Sequence, residues 1–534
     1  MKNIRAFLAV MVMSLLLTQL HGVTYAATTA TAATSGNTFT DDFTSSNAGK
    51  WSVVKGASWK RTGGKCYSPA EIAIMAYKGK YYSDFVFEAD VSVGNNYDGG
   101  VFFRSKNPDK EDGYYFGLYA QTDEVRLYKL ASATKPLAAY AKLKIDPNTV
   151  NHVKIVAKGS NIKIYVNSME KPIIDINDST YSTGYLGLRS YYTKASYDNV
   201  SVVEPKYLKN VFVLNFDPVI EAEGGKRLHE VVGGADPKVL KNAFVNDLMK
   251  VSGNNAYYNV VEWIDLDEFP LMSDDFRYND KSYIDVINGA KVAQGCGFNF
   301  DYDYYISKYG LVKAVKSGKI DEVYIFADGT DMGLYESKMI GESAYWCNSP
   351  ETKIKGSKNF VCMFFNYDRG DDCMLESYGH RAESILNHVF NKSHSNRVFP
   401  KPEKLNYNDL NMWEKFSMYG SVAGNFKNAV LGVGSVHYAP NSKVDYDWNN
   451  SSAVKSNYKY FLSYPNSKRK ITDVDTIDCS LWNKSYPVPH NQLITLNNAS
   501  QWSHHMWWFD CMPKAEGSTN GYLNDWWAYI TLSK

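Results

Sequence analysis

Val211-Phe212-Val213-Leu214-Asn215-Phe216 is an almost unbroken apolar run. Such a run reads as a strand buried on both faces, the kind that fills a parallel sheet. Downstream the pattern recurs. Val323-Tyr324-Ile325-Phe326 follows a helix-like stretch from Tyr304 to Lys316, and Phe360-Val361-Cys362-Met363-Phe364-Phe365 leads into helical periodicity from Cys373 to Phe390. Pro237 to Val251 places Val239, Leu240, Phe244, Leu248 and Met249 at helical spacing, with Asp236 set to cap its start. Strands alternating with helices predict an α/β domain over 206–534, entered through a link at Lys206 to Asn210. From about Arg397 the chain turns irregular and rich in Trp, Asn, Pro and Tyr.

Upstream the periodicity is two rather than three to four. Phe85 to Val91, Val101 to Arg104, Tyr114 to Tyr119, His152 to Val156, Ile162 to Val166 and Tyr185 to Arg189 are short alternating runs parted by turn residues. They predict an antiparallel β-sandwich over 38–205. Ahead of it, 27–37 is a small-residue tract that reads as a flexible tether. Residues 1–26 have a basic start, a short apolar run and a small-residue end at Thr24-Tyr25-Ala26, the layout of a secretory signal peptide. The expected setting is secreted, extracellular or cell-surface.

Within 38–205 the order of motifs is informative. Asp41-Asp42-Phe43 opens it. Gly99-Gly100-Val101-Phe102-Phe103-Arg104 precedes Gly113-Tyr114-Tyr115-Phe116, and Gly184-Tyr185-Leu186-Gly187-Leu188-Arg189 with Tyr197-Asp198-Asn199-Val200 close it. This succession resembles the concanavalin/laminin-G-like jelly rolls of bacterial polysaccharide-processing proteins, including the levan-binding type of carbohydrate-binding module. The resemblance implies binding of a terminal sugar or glycan chain, with Arg104, Tyr114, Tyr115 and Tyr192 as candidate contacts. In the second half, Asn215-Phe216-Asp217-Pro218, Gly379 to Ser384 and Ser435 to Ser442 resemble stretches of large secreted bacterial proteins. That likeness implies an extracellular setting and assigns no catalytic role.

Composition narrows the classes. Lys and Arg number 58 against 57 Asp and Glu. With no long basic block, a nucleic-acid partner is disfavoured. No apolar run after the first 26 residues is long enough to span a membrane. The 41 Tyr and 12 Trp suit sugar rings, which need a flat apolar face beside a polar tip, although β-strands favour Tyr as well. Nucleophile-elbow, phosphate-loop and dinucleotide signatures are missing.

Chemistry is expected at the C-terminal ends of the strands. Those ends carry Asp217 and Glu221, then Asp265 and Asp267, then Asp328 and Glu336, and finally Arg369. Paired carboxylates there could act as acid and base or nucleophile at a glycosidic bond, about 5–5.5 Å or about 6.5–9.5 Å apart by mechanism. A second cluster is helical. Glu376, His380 and Glu383 stand at i, i+4 and i+7, on one face within about 60°. His380-x-x-Glu383 has a spacing used by hydrolytic zinc sites, with His437, His504 or His505 as a third ligand and Glu376 as base or supporting group. Gly379 in that helix predicts a close approach by another segment. Two Trp-rich stretches supply further substrate-binding candidates: His437, Asn441, Asp445, Asp447 and Trp448, and then His504, His505 and Trp507. A sugar subsite and a packing seam both fit them.

These readings converge on a secreted hydrolase of a polysaccharide or cell-wall glycan, targeted by its N-terminal module. The alternatives are a zinc-dependent hydrolase of a peptide, amide or ester bond with His380, Glu383 and His437 as ligands, and a non-catalytic glycan-binding adhesin.

Overall fold

The computed structural model describes residues 38–44, 47–131, 136–289, 299–330, 332–392, 398–399, 406–489, 493–494 and 499–534. The expected signal peptide and tether lie outside them.

The alternating N-terminal runs form two facing antiparallel sheets. One holds Ile174–Asn177, Asn161–Val166, Val150–Lys158, Phe85–Ser92, Ser196–Val203, Lys65–Tyr67 and Lys60–Thr62 in that order, with Thr38–Asp41 also paired to Ser196–Val203. The other runs Leu137–Lys142, Glu124–Ala131, Asp112–Tyr119, Asp98–Ser105, Tyr185–Tyr191, Ala73–Tyr77 and Trp51–Lys55. Phe85, Phe87, Phe103, Phe116, Ile155 and Leu188 fill the space between, which is where the period-two pattern directs them.

The second half is an α/β domain. Its sheet runs Ala256–Leu266, Tyr207–Phe216, Glu322–Ala327, Phe360–Asn366, Ser337–Gly341 and Thr352–Lys353. The first four are parallel, and Ser337–Gly341 turns antiparallel to its neighbour. Val211, Val213, Tyr324 and Phe326 face helices Pro237–Val251, Asp371–Asn391 and Ala499–Asp510. Phe212, Leu214, Phe216, Val323 and Ile325 face Tyr302–Lys308 and Leu311–Lys316 on the other side. Burial on both faces explains the unbroken apolar runs.

Two expectations are corrected. Lys206 to Asn210 is no loose link, because the central strand starts at Tyr207. The helix expected over Tyr304 to Lys316 is two helices, parted at Gly310 in the left-handed region (φ +59°). The Trp-rich region beyond Arg397 is core: Trp413, Trp482, Trp502, Trp508, Trp526 and Trp527 are fully buried.

The sandwich packs on the α/β domain through buried Val86, Val156, Tyr165, Leu208 and Tyr257. Tyr165 donates to the Val260 carbonyl (2.9 Å), and Lys154 to Asn259 Oδ1 (3.0 Å). Among the described residues no helix is long and apolar enough to cross a membrane.

Candidate functional site: converging imidazoles and carboxylates on one helix face

Helix Asp371–Asn391 buries Leu375, Tyr378, Ala382, Ile385 and Leu386 against the sheet. Its other face carries Glu376, His380 and Glu383. Gly379 lies between them, and a Cβ there would stand 2.4 Å from Val436 Cγ2. The bare backbone lets the segment Gly432 to Pro440 lie directly on the helix, which is the close approach the glycine predicted. Trp508 and Trp448 Nε1 donate to the Gly434 (3.0 Å) and Val436 (3.2 Å) carbonyls, fixing the segment from beneath. Val436 N–H donates to Glu383 Oε1 (3.0 Å). The next residue, His437, is thereby delivered to the helix.

His380 Nε2 and His437 Nε2 face each other at 3.0 Å. Glu376 Oε1 lies 2.9 Å from His437 Nε2 and 3.9 Å from His380 Nε2. Each outer atom is held. His380 Nδ1 meets Glu383 Oε2 at 3.3 Å, His437 Nδ1 meets Asp445 Oδ1 at 3.1 Å, and Gln501 Nε2 donates to Glu376 Oε2 at 2.7 Å. Each ring can carry its proton on Nδ1, toward Glu383 or Asp445, and in that tautomer both Nε2 atoms are acceptors, the form a cation requires; without a cation Glu376 competes for the proton at His437 Nε2. Three acceptors then converge on one point.

Two species satisfy that arrangement. A proton is one. Burial opposes charge on His380, but the carboxylates of Glu376 and Glu383 outweigh it and hold the ring up at about 10. Glu376 is pushed up by burial and pulled further down by His380 and His437, ending well below the carboxylate range. A divalent cation is the other. Glu376, His380 and His437 offer three ligand atoms mutually within 4.8 Å. Donor atoms about 2.0–2.1 Å from a tetrahedral ion stand about 3.3 Å apart, and the three separations bracket that value. Two imidazoles and one carboxylate are a donor set of catalytic zinc, and the Nδ1-to-carboxylate contacts are the outer support such ligands use.

Beside the site, at the C-terminal strand ends, is a cavity of 290 Å³ lined by Glu336, Asn366, Asp368, Arg369 and Ser377 among others. Glu336 accepts from Asn348 Nδ2 (2.7 Å) and is close enough to help hold charge on His380.

Other expected residues lie elsewhere. Glu383 supports His380 and the backbone of Val436, while Glu376 takes the converging position expected of it. Of the six strand-end carboxylates, only Glu336 lines the cavity. Asp217 is bound to His229 (2.7 Å), Asp265 accepts from Asn215 and Trp263, and Asp267 accepts from the Val219 N–H (2.7 Å). Buried Asp328 accepts from Tyr283, and Glu221 is exposed on a separate turn. Strand ends need hydrogen-bond acceptors for their turns, and these acids meet that need.

Trp448, Trp507, His504 and His505 are buried beneath the His437 segment and present no face to a substrate. Buried Asn441 braces its turn through Asn450 and Ser452, and Asp447 caps the Lys443 N–H (2.9 Å). Gln501, Asn348 and Tyr446 were not anticipated. Gln501 had one signal, its place one turn before His505. In the sandwich, Arg104, Tyr114 and Tyr115 are buried and only Tyr192 is exposed, in a cluster with Tyr97 and Tyr191. Beneath Tyr191, Arg189 stacks over Tyr115 (4.3 Å) and bonds Glu111 (2.9 Å).

Residues 37–203 match the family model of the 3-keto-alpha-glucoside-1,2-lyase-like domain. The chain is 30% identical over 160 residues to a levanase of Bacillus subtilis (strain 168), covering 29% of this chain and 23% of that one. It is 28% identical over 130 residues to a levanase of Bacillus sp. (strain L7), covering 24% and 14%. It thus spans less than a quarter of the curated relatives it matches. A solved carbohydrate-binding module from Bacillus subtilis is similar at 28% identity, covering 29% of this chain and 95% of that chain with a TM-score of 0.27. The N-terminal part is a jelly roll similar to the matching parts of these proteins, as its motifs implied.

Proposed function

We propose that this protein is a secreted, glycan-directed hydrolase in which the jelly roll holds a polysaccharide and the α/β domain cleaves an amide or ester bond on it with a divalent cation, zinc being the candidate. The observation that carries the reading is the convergence of His380 Nε2, His437 Nε2 and Glu376 Oε1, each braced from behind. The levanase matches support the glycan, and tethering to it raises the local substrate concentration. A glycosidic carboxylate pair is less well supported, since only Glu336 of the six expected acids reaches the cavity.

A bound cation would supply Lewis acidity to a carbonyl oxygen and ease deprotonation of a water. With a cation at the two Nε2 atoms, Glu383 and Asp445 would accept from the Nδ1 atoms and hold the rings in place. Gln501 fixes the carboxylate plane of Glu376. Glu336 is the carboxylate at the cavity left to accept a proton. In the sandwich, exposed Tyr97 and Tyr192, with half-buried Tyr191 between them, offer a face for sugar.

The test loads the full chain with zinc, measures metal by elemental analysis, and assays acetate release from acetylated polysaccharides. About one equivalent of zinc and zinc-dependent release are expected. Zinc-independent cleavage with reducing-end release would favour the glycosidase reading. No retained metal and no cleavage would leave a glycan-binding adhesin.

A further inference from the structure

We propose that Tyr446 binds the substrate directly at this site, its phenol donating a hydrogen bond to the oxygen of the group being cleaved; the inference rests on the metal-site reading above.

Tyr446 is 52% exposed, beside three converging groups that are each at most about a quarter exposed. Its ring lies 4.4 Å from the His437 imidazole, and its own N–H donates to the His437 carbonyl (3.3 Å). The Trp448 ring backs it at 5.1 Å. Its phenol is hydrogen-bonded to the Glu376 carboxylate and lies near those of Asp445 and Glu336. The side chain therefore belongs to the site, yet presents its free surface to solvent.

The backbone points the same way. Tyr446 sits at φ +60°, a conformation uncommon for a bulky residue and one that accumulates at ligand sites. The turn is pinned on both sides. Asp447 Oδ2 accepts from Lys443 N–H (2.9 Å) and Asn450 Nδ2 (2.7 Å), and Asn441 Nδ2 donates to the Asn450 (2.6 Å) and Ser452 (3.0 Å) carbonyls. Gly or Asn would take that conformation more readily. Packing does not explain the tyrosine either, since half of it is in water. The phenol O–H is a donor beside the converging groups, where the imidazole Nδ1 donors are committed to Glu383 and Asp445, and a substrate oxygen would take it in exchange for Glu376.

The experiment uses the zinc-loaded full chain and acetohydroxamate, a small oxygen-donor mimic of an acyl group, with affinity read by calorimetry. Tyr446→Phe should weaken acetohydroxamate about tenfold, the loss of one hydrogen bond to a charged acceptor, with zinc stoichiometry and melting unchanged. Tyr438→Phe, on the same segment but stacked on Tyr419 at 4.5 Å, should bind as the parent does. Unchanged acetohydroxamate affinity in Tyr446→Phe overturns the inference and leaves the metal site standing. Loss of zinc in that variant also overturns it, since Tyr446 would then only hold Glu376 in place. A parent that takes up no zinc defeats both readings.

Discussion

Two pairs of histidines, one formed where the His437 segment meets the helix and one buried beneath that segment, have opposite characters. His380 and His437 are partly exposed, and each has a carboxylate behind its Nδ1. His504 and His505 are fully buried. His505 lies against the Asp372 and Val436 carbonyls (3.2 Å each), and burial pushes it down to about 4 despite the attraction of Glu376. His504 is caged by Trp448, Trp482 and Trp507, neither of its nitrogens has a hydrogen-bond partner among the described residues, and burial lowers it further. A histidine becomes a ligand candidate through the acceptor behind it and the opening in front of it. Without both, it is core.

Removing a ring from the outer pair should have the largest effect. His437→Ala should abolish stoichiometric zinc uptake, while metal-free stability changes by less than about 1 kcal/mol, as for ordinary partly exposed positions. Dialysis with elemental analysis and denaturant melting read the two effects separately. A variant that keeps its zinc would break the comparison.

The inner pair should respond in the reverse sense. His505→Ala removes a fully buried ring and should cost about 3 kcal/mol in urea melting. Stability within 1 kcal/mol of the parent would mean the ring is not part of the core.

Glu383→Gln and Asp445→Asn sharpen the role of the acceptors. Each should weaken zinc about tenfold or more without removing it, since the ligand atoms remain but their tautomer and aim are loosened. Competition with a chelating dye measures this, and an unchanged affinity in both would show that the carboxylates do not orient the rings. His504→Leu should be neutral or stabilising by at most about 1 kcal/mol, because it replaces an unpartnered polar ring with an apolar one of similar bulk. A loss above about 2 kcal/mol would reveal a partner for that ring.

His152, in the sandwich, is an intermediate case. It sits between Asp90 (2.8 Å) and Glu88 (3.1 Å) with no second imidazole facing it, so the carboxylates trap a proton. Burial opposes the charge, but Asp90 and Glu88 prevail and raise the ring to about 9. The folded value lies above the unfolded value of about 6.5. Its stabilisation is therefore complete below about pH 6.5 and is lost as pH rises through about 9. His152→Gln should flatten the melting temperature across that window, and an unaltered profile would rule this proton out. Glu88 also accepts from Tyr257 across the domain contact (3.2 Å), so part of that pH dependence should reflect domain packing.

The fold was legible because the side-chain period is local. Alternation over Phe85 to Val91 requires a sheet with one face in the core, and the unbroken run at Val211 to Phe216 requires a strand covered on both faces. The Glu376–His380–Glu383 face was legible for the same reason, since one helix fixes the angles between its own side chains. Composition raised Trp448, Trp507 and His504 as binding residues, but burial depends on which segments cover them, and only the folded chain decides that. The same holds for the choice of Glu376 over Glu383, which differ by two helical turns. Glu383 is occupied by the Val436 N–H, and that N–H arrives from a segment more than fifty residues downstream, brought against the helix where Gly379 leaves room. The sequence determined each element and the face it offers; tertiary structure alone decided which faces meet, because that depends on the packing of segments far apart in the chain.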